Sequence, residues 1–183
     1  SRTIRNARRE EAKLRRKISS AYERGETNAL NRHIGRYLSS ESAKIVAVEQ
    51  AGTRRKRKKK NYLNNDQIIT HARALNVYLE PEENVSVTPH HKSDGFRAIH
   101  SFGQLYHARQ LMVASVLEAS TRLNPRQYGK GNGGRPAACR KVLDAMTTHR
   151  FAVEVDIKDF YPSIERNWLC EGLPINQEVV ERV

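Results

Sequence analysis

One carboxylate in this sequence stands where a carboxylate can take part in chemistry. Asp156 lies near the end of the apolar run at residues 151–157, which predicts a buried strand, and turn residues follow at 159–163. A strand that ends in Asp brings the carboxylate to the rim of a sheet, within reach of water and metal. Mg²⁺ binds through one or two carboxylates together with substrate phosphates. The segment therefore predicts metal-assisted phosphoryl transfer, although a turn or helix-capping Asp gives the same local pattern.

The net charge of +13 lies entirely in the first third of the chain. Residues 1–60 carry 19 basic and 6 acidic side chains, whereas residues 61–183 balance. Seven consecutive cations end this region: Arg54, Arg55, Lys56, Arg57, Lys58, Lys59 and Lys60. A clamp on a nucleic-acid backbone and a solvated or targeting run explain them equally well. The run holds no aromatic residue, so as a clamp it would add affinity without sequence specificity.

Several classes of protein are excluded by composition. No apolar run approaches the roughly 20 residues of a membrane-spanning helix. The Arg-rich N-terminus lacks the apolar stretch of a secretory signal. Cys139 and Cys170 have no companion at metal-site spacing and suit a reducing compartment. We therefore expect a cytoplasmic protein with no membrane partner.

The elements that must position Asp156 follow from periodicity and turn residues. A helix–turn series is expected first, then a hairpin, further helices and the strand that carries Asp156, which makes the fold class α/β, more specifically α+β. The first helix has only a rough apolar stripe and is expected to be solvated and basic. The expected helices are 2–25, 28–38, 64–75, 104–120 and 135–148, and the hairpin strands are 85–89 and 96–102 around a turn at 92–95.

Residues 153–164, Val-Glu-Val-Asp-Ile-Lys-Asp-Phe-Tyr-Pro-Ser-Ile, resemble motif A of reverse transcriptases, in particular the bacterial retron and group II intron-like branch. The resemblance implies that Asp156 is the catalytic, metal-binding aspartate and that the Ile157 carbonyl is a backbone ligand of the same Mg²⁺. It implies that Tyr161 is the steric gate under the sugar. The remaining nucleotide-site residues that it implies are Lys158, Asp159 and Phe160.

Two further segments resemble blocks of the same family. Residues 92–99 resemble its fingers hairpin, which implies that Arg97 contacts the incoming triphosphate and that Lys92 assists; read alone, Arg97 is equally an ion-pair partner. Residues 128–136 resemble the block near the template, which implies nucleic-acid contacts by Lys130 and Arg135. Here Lys-Gly-Asn-Gly-Gly at 130–134 replaces the family's aromatic residue and shifts the Arg.

The resemblance implies a right-hand polymerase, with a basic helical nucleic-acid-binding extension at 1–60, fingers at 61–150 and the start of the palm at 151–183. Such an enzyme is an RNA-directed DNA polymerase that extends a DNA or RNA primer on an RNA template with dNTPs and two Mg²⁺ ions, here in a retron or phage-defence system. The sequence has no Asp-Asp pair. We therefore expect the second set of carboxylates to lie outside this chain, which would be inactive alone, and the remainder of the polymerase to come from the same polypeptide or a second chain.

The alternative is a non-catalytic RNA-binding scaffold, maturase-like, that keeps the polymerase fold. Reading the encoding gene beyond Val183 separates the two: a Tyr-x-Asp-Asp segment favours the enzyme, and a stop codon favours the scaffold.

Overall fold

The fold was described from a computed structural model, in residues 1–56, 63–79, 83–92, 95–122, 124, 126–128, 133–157, 160 and 163–182. Within these residues the chain forms eight helices and one antiparallel pair of strands, which confirms a mixed α+β class. The strands are β1 (Ser86–Lys92) and β2 (Gly95–Ser101). The helices are α1 (Arg2–Glu23), α2 (Thr27–Ser39), α3 (Glu41–Lys56), α4 (Asn65–Ala74), α5 (Gln104–Ala119), α6 (Gly134–Met146), α7 (Arg166–Gly172) and α8 (Gln177–Arg182).

The hydrophobic core lies among the first five helices. α1 packs against α2, α3 and α5, while α3 also packs against α4. Ile18, Val48 and Met112 are fully buried where α1, α3 and α5 meet. The C-terminal segment contributes Ile175 and Val179 to the same core. The helices of the basic first third are therefore built into one core with α4 and α5.

Helix α1 is not the solvated helix that the sequence predicted. It ends at Glu23 and buries Ile4, Ala7, Ile18 and Ala21. At three- and four-residue spacing these side chains fall on one helical face, which meets the neighbouring helices. The stripe is hard to recognise because Glu11 interrupts it.

Glu11 is buried because it has a partner. The Tyr37 hydroxyl donates a hydrogen bond to Glu11 Oε1 at 2.9 Å, which joins α1 to α2. Burial raises the pKa of the Tyr37 hydroxyl well above its usual range. A hydrogen bond with Ser115 of α5 acts in the opposite direction on that pKa. The three helices thus share one polar contact inside an apolar core.

Helices α4 and α5 form where the sequence predicted them. Asn64 caps α4 by accepting a hydrogen bond from the Gln67 backbone N–H at 2.8 Å, and the Gln67 side chain accepts one from the Asn64 N–H at 2.9 Å. This reciprocal pair satisfies two backbone donors that a helix start leaves without partners. Along α5, Ala108, Met112 and Val116 are buried at four-residue spacing, as expected.

The hairpin also forms as predicted, and β1 is longer than expected. The strand continues through Pro89, which pairs with Ala98, to Lys92 opposite Gly95. A proline that lacks the N–H is tolerated on an edge strand. In the described residues all seven positions of β2 are exposed, so the hairpin presents both of its faces to solvent.

The prediction of a buried strand at 151–157 is wrong for this structure. The segment has no regular secondary structure, and Phe151 and Val153 are 90% and 86% exposed. A strand is stabilised by a hydrogen-bonded neighbour, and the described sheet consists of β1 and β2 alone. Helix α6 likewise buries none of its residues, so Val142 and Met146 do not face a core as expected.

Candidate nucleotide and nucleic-acid sites

Arg97 lies on β2 directly opposite His90 of β1. Opposed residues of an antiparallel pair project from the same face, so the side chains of Arg97 and His90 lie on one face of the hairpin. Both residues are exposed, and Arg97 makes no ion pair with any residue in the described ranges. Lys92 pairs with Gly95 at the turn, two positions beyond His90. The guanidinium of Arg97 is therefore open to an anionic ligand such as a phosphate group.

The open end of the hairpin, where β2 ends and α5 begins, carries a row of aromatic rings; we call this end the foot of the hairpin. His100 and Phe102 stack with centroids 6.4 Å apart and planes 22° apart. Phe102 in turn contacts Tyr106 of α5 at 5.8 Å between centroids. The Tyr106 ring lies under the guanidinium of the buried Arg109, 5.9 Å from its central carbon, and Arg109 Nη2 donates to the Val77 carbonyl at 3.1 Å. This row fixes β2 onto the core.

This aromatic row has no recognisable signal in the sequence. Phe102 and Tyr106 stand four residues apart, but a Gly103 helix start lies between them, so helical spacing alone gave no signal. Arg109 was not identified either, because a buried arginine is uncommon and its partner, Val77, is distant in sequence.

On the β1 side of the hairpin foot, Glu83 contacts the start of α5. Its Oε2 accepts hydrogen bonds from the backbone N–H groups of Leu105 at 2.8 Å and Tyr106 at 3.2 Å, at the start of α5. A carboxylate is favoured there because the first N–H groups of a helix lack partners and carry partial positive charge. Gly103 leaves room for it: a Cβ at that position would overlap the Glu83 carboxyl group. Glu83 therefore ties the entry of β1 to the helix after β2.

Asp156 lies on the exposed segment 151–157 and not at the rim of a sheet. Its neighbour Ile157 is 64% exposed and Phe160 is 46% exposed. The Ser163 hydroxyl donates to the Phe160 carbonyl at 2.7 Å and closes the turn after the motif. The predicted nucleotide-site residues Lys158, Asp159 and Tyr161 lie outside the described residues. Among the described residues, Arg97 and Asp156 share no hydrogen bond or ion pair.

The donors on this chain fit part of a magnesium centre. The Asp156 carboxylate and the Ile157 carbonyl are hard oxygen ligands of the kind that Mg²⁺ takes. No group of three or more His, Cys, Asp or Glu side chains in the described ranges is placed to hold a metal ion. One carboxylate does not complete a two-ion centre, so these residues fit as contributors to a site with further ligands.

The first three of the seven consecutive cations belong to α3, which ends at Lys56. The backbone of Arg54, Arg55 and Lys56 forms the last turn of that helix. The other predicted nucleic-acid contacts Arg57, Lys58, Lys59, Lys60 and Lys130 lie outside the described residues. Arg135 is exposed in the first turn of α6. The predicted basic contacts are thus not brought to one described surface.

Comparisons with protein-family models, with curated proteins and with solved structures find no match to this chain. In the part of the chain that the structure describes, no helix combines the length and the apolar character needed to cross a bilayer.

Proposed function

We propose that this chain is the fingers and the start of the palm of an RNA-directed DNA polymerase, which extends a primer on an RNA template with dNTPs and Mg²⁺, in a retron or phage-defence system. Asp156 and the Ile157 carbonyl bind metal. Arg97 and Lys92 bind the triphosphate of the incoming nucleotide. The second set of carboxylates comes from outside these residues, in the same polypeptide or in a partner chain.

The observation that carries the proposal is the exposed hairpin with Arg97 on one face. A residue held in an ion pair within the chain would have its guanidinium occupied, whereas Arg97 has none in the described residues. The planar guanidinium donates two parallel hydrogen bonds to phosphate oxygens, which suits a triphosphate. Glu83 and the aromatic row connect the foot of this hairpin to the start of α5.

The exposed apolar segment 151–157 supports the proposal independently. Val153 and Val155 are each 86% exposed, and the alternation of apolar and acidic residues around them is that of a strand. Such a sequence gains stability only when a neighbouring strand and a covering layer bury its apolar face. We propose that the remainder of the palm supplies both, which would bring Asp156 to the rim of a sheet.

The test is dNTP incorporation by the full-length protein on an RNA template with a DNA primer. Asp156→Ala should abolish incorporation because it removes the metal-binding carboxylate, and it should leave RNA binding intact. Glu154→Ala is the matched control, since it removes an equally exposed carboxylate two residues earlier and should keep activity. Incorporation at the wild-type rate by Asp156→Ala would exclude the assignment.

A second candidate function is the RNA-binding scaffold without catalysis. The observation that favours it is the single carboxylate at the proposed metal site, together with the basic first third of the chain. RNA binding by the full-length protein with no incorporation by either the wild type or Asp156→Ala would support the scaffold over the enzyme.

A further inference from the structure

The outer face of α1 carries a row of arginines that the core does not use. The row consists of four exposed residues separated by three, four and seven positions, which places them on the helical face opposite the buried one: Arg2, Arg5, Arg9 and Arg16. At about 1.5 Å per residue the row is about 21 Å long. Lys13 stands in the gap between Arg9 and Arg16.

Ion pairing separates this row from the other cations of α1. On the flanks of the helix, Arg8 pairs with Glu49 of α3 at 2.6 Å and Arg15 pairs with Glu118 of α5 at 3.2 Å. The four arginines of the outer row make no ion pair with any residue that the structure describes. Arg8 and Arg15 are thus paired within the chain, and Lys13 pairs with Glu10 at 2.7 Å, whereas the four arginines of the outer row have no such partner among the described residues.

The row continues onto α2 around His33. The cations that act on the His33 ring are Lys17 of α1, Arg24 directly after the end of α1, and Arg32 and Arg36 of α2. Glu26 also interacts with this ring, and it forms a 2.7 Å ion pair with Arg24. His33 Nδ1 is buried and has no hydrogen-bond partner within the described residues.

We infer that the outer face of α1, continued by the cations around His33, is a binding surface for the phosphate backbone of RNA. A rigid row of cations with roughly one charge per helical turn meets successive phosphates, and each contact releases a counterion. No aromatic residue stands in the row, so the surface grips the backbone without reading bases. The choice of RNA as the partner rests on the proposed function.

An anionic membrane is the less suitable partner for this surface. A helix that binds in a bilayer interface inserts an apolar face beneath its basic one. The apolar face of α1 is buried against α2, α3 and α5, so it cannot insert while the core is intact. A membrane would therefore be held by charge alone, whereas the phosphates of RNA offer a denser line of negative charge.

The position of His33 couples this surface to pH. Burial and then the surrounding cations Arg32, Arg36, Lys17 and Arg24 lower the pKa of His33 below its ordinary value of 6.5. Phosphates that bind there offset these cations and favour the protonated imidazole. RNA binding should therefore take up a proton, and affinity should rise as the pH falls through the region below 6.5.

The experiment uses the whole 183-residue chain and a fluorescein-labelled RNA hairpin, with anisotropy measured across a salt series. The variant R2Q/R5Q/R9Q/R16Q should lower the slope of log affinity against log salt by about 3, at 0.7 to 0.9 per lost contact. R122Q/R126Q/R140Q/K141Q is the matched control, because it removes the same charge from exposed positions elsewhere. R2K/R5K/R9K/R16K should keep the slope, and circular dichroism checks that each variant is folded.

Several outcomes would overturn the inference. An equal loss in the two glutamine variants would mean that net charge alone sets the affinity. Stronger binding to phosphatidylserine vesicles than to RNA, sensitive to the α1 variant, would assign the surface to a membrane. An identical pH dependence in His33→Gln and wild type would remove the coupling. None of these readouts involves dNTPs, so they are separate from failure of the polymerase assignment, which the Asp156 experiment reports.

Discussion

Glu83 Oε2 accepts a hydrogen bond from the backbone N–H of Leu105 at 2.8 Å, so a residue that precedes β1 caps the helix that follows β2. The contact closes the hairpin at its foot and joins it to α5, which is anchored in the core by Met112 and Val116. The hairpin that carries Arg97 is therefore connected to α5 by a carboxylate outside the hairpin itself.

Removing this cap should destabilise the protein. Glu83→Ala should lower the free energy of unfolding by about 1 kcal/mol, the usual loss for a helix cap. Glu83→Gln should cost less because its amide oxygen still accepts a hydrogen bond. Urea unfolding followed by circular dichroism measures both, with Glu171→Ala of α7 as an acidic control.

Gly103 provides the coupling test for the same contact. A Cβ in Gly103→Ala would displace the Glu83 carboxyl group, so the two changes remove one interaction. The double variant should therefore lose less free energy than the sum of the single variants. Strict additivity would show that Glu83 does not act through the helix start.

The Tyr37 hydroxyl should stabilise the core through Glu11. Tyr37→Phe leaves the buried Glu11 carboxylate without its 2.9 Å donor and should cost about 1 to 3 kcal/mol. Glu11→Gln in the same background should recover part of that loss, because a neutral amide is cheaper to bury than a charge. Urea unfolding of the single and double variants is the measurement.

The raised pKa of the Tyr37 hydroxyl predicts that the stability of the fold changes at alkaline pH. Burial raises its pKa above the unfolded value of 10, so above that pH the unfolded state loses the proton while the folded state keeps it. Stability should be fully present below pH 10 and decline as the pH rises above it. Tyr37→Phe should flatten this decline, and an unchanged slope in the variant would contradict the assignment.

His33 predicts a loss of stability in acid. Its folded-state pKa lies below the ordinary value of 6.5, so between the two values the unfolded state binds more protons than the folded state. The free energy of unfolding should fall as the pH drops below 6.5. His33→Gln should lessen that dependence. Urea midpoints at about pH 7.5 and about pH 5.5 measure it, and His149→Gln, an exposed histidine, is the control.

Under the proposed function, Arg97 should govern the affinity of the full-length protein for dNTPs. Arg97→Ala should raise KM by about tenfold or more, because a charge-assisted hydrogen bond to phosphate is lost, and Arg97→Lys should lie between the two. His90→Ala removes the opposed side chain on the same face and should leave KM close to wild type. A KM unchanged by Arg97→Ala would exclude contact with the triphosphate.

The motif resemblance implies that Tyr161 sets sugar discrimination. Under the proposed function, Tyr161→Ala should let the full-length protein incorporate ribonucleotides, because the ring no longer excludes the 2′-hydroxyl. Parallel primer extension with dNTPs and rNTPs gives the ratio of incorporation rates. Phe151→Ala, at an exposed aromatic residue ten positions earlier, is the control, and unchanged discrimination in Tyr161→Ala would remove the gate assignment.

Local signals in the sequence were enough for the elements that local interactions determine. Asn64 and Gln67 form a capping box within four residues, and the apolar spacing of α5 repeats over four turns. The β1–β2 hairpin needs only a turn and two short strands that meet at once. In each case the partners lie close in sequence, so periodicity and turn residues predict them.

Contacts between residues that are distant in sequence could not be predicted from such local signals. Glu83 meets Leu105, Tyr37 meets Glu11, and nothing in the local pattern of either residue specifies its partner. The stripe on α1 is hard to recognise as buried because Glu11 interrupts it, and Glu11 is buried beside two partners, the Tyr37 hydroxyl at 2.9 Å and Arg15 at 3.9 Å. The strand predicted at 151–157 does not form in the described residues. Its local alternation is typical of a strand, but a strand also needs a neighbouring strand to pair with, and the described sheet supplies none.

The uneven burial of this chain has a consequence for genetics. Arg97 and Asp156 are exposed and outside the core, whereas most of the side chains that form the core lie in the five N-terminal helices. Surface substitutions usually change stability by less than about 0.5 kcal/mol. Loss-of-function alleles at the hairpin or the Asp156 segment should therefore reduce activity at normal protein abundance, while alleles in α1 to α5 should act mainly by lowering abundance.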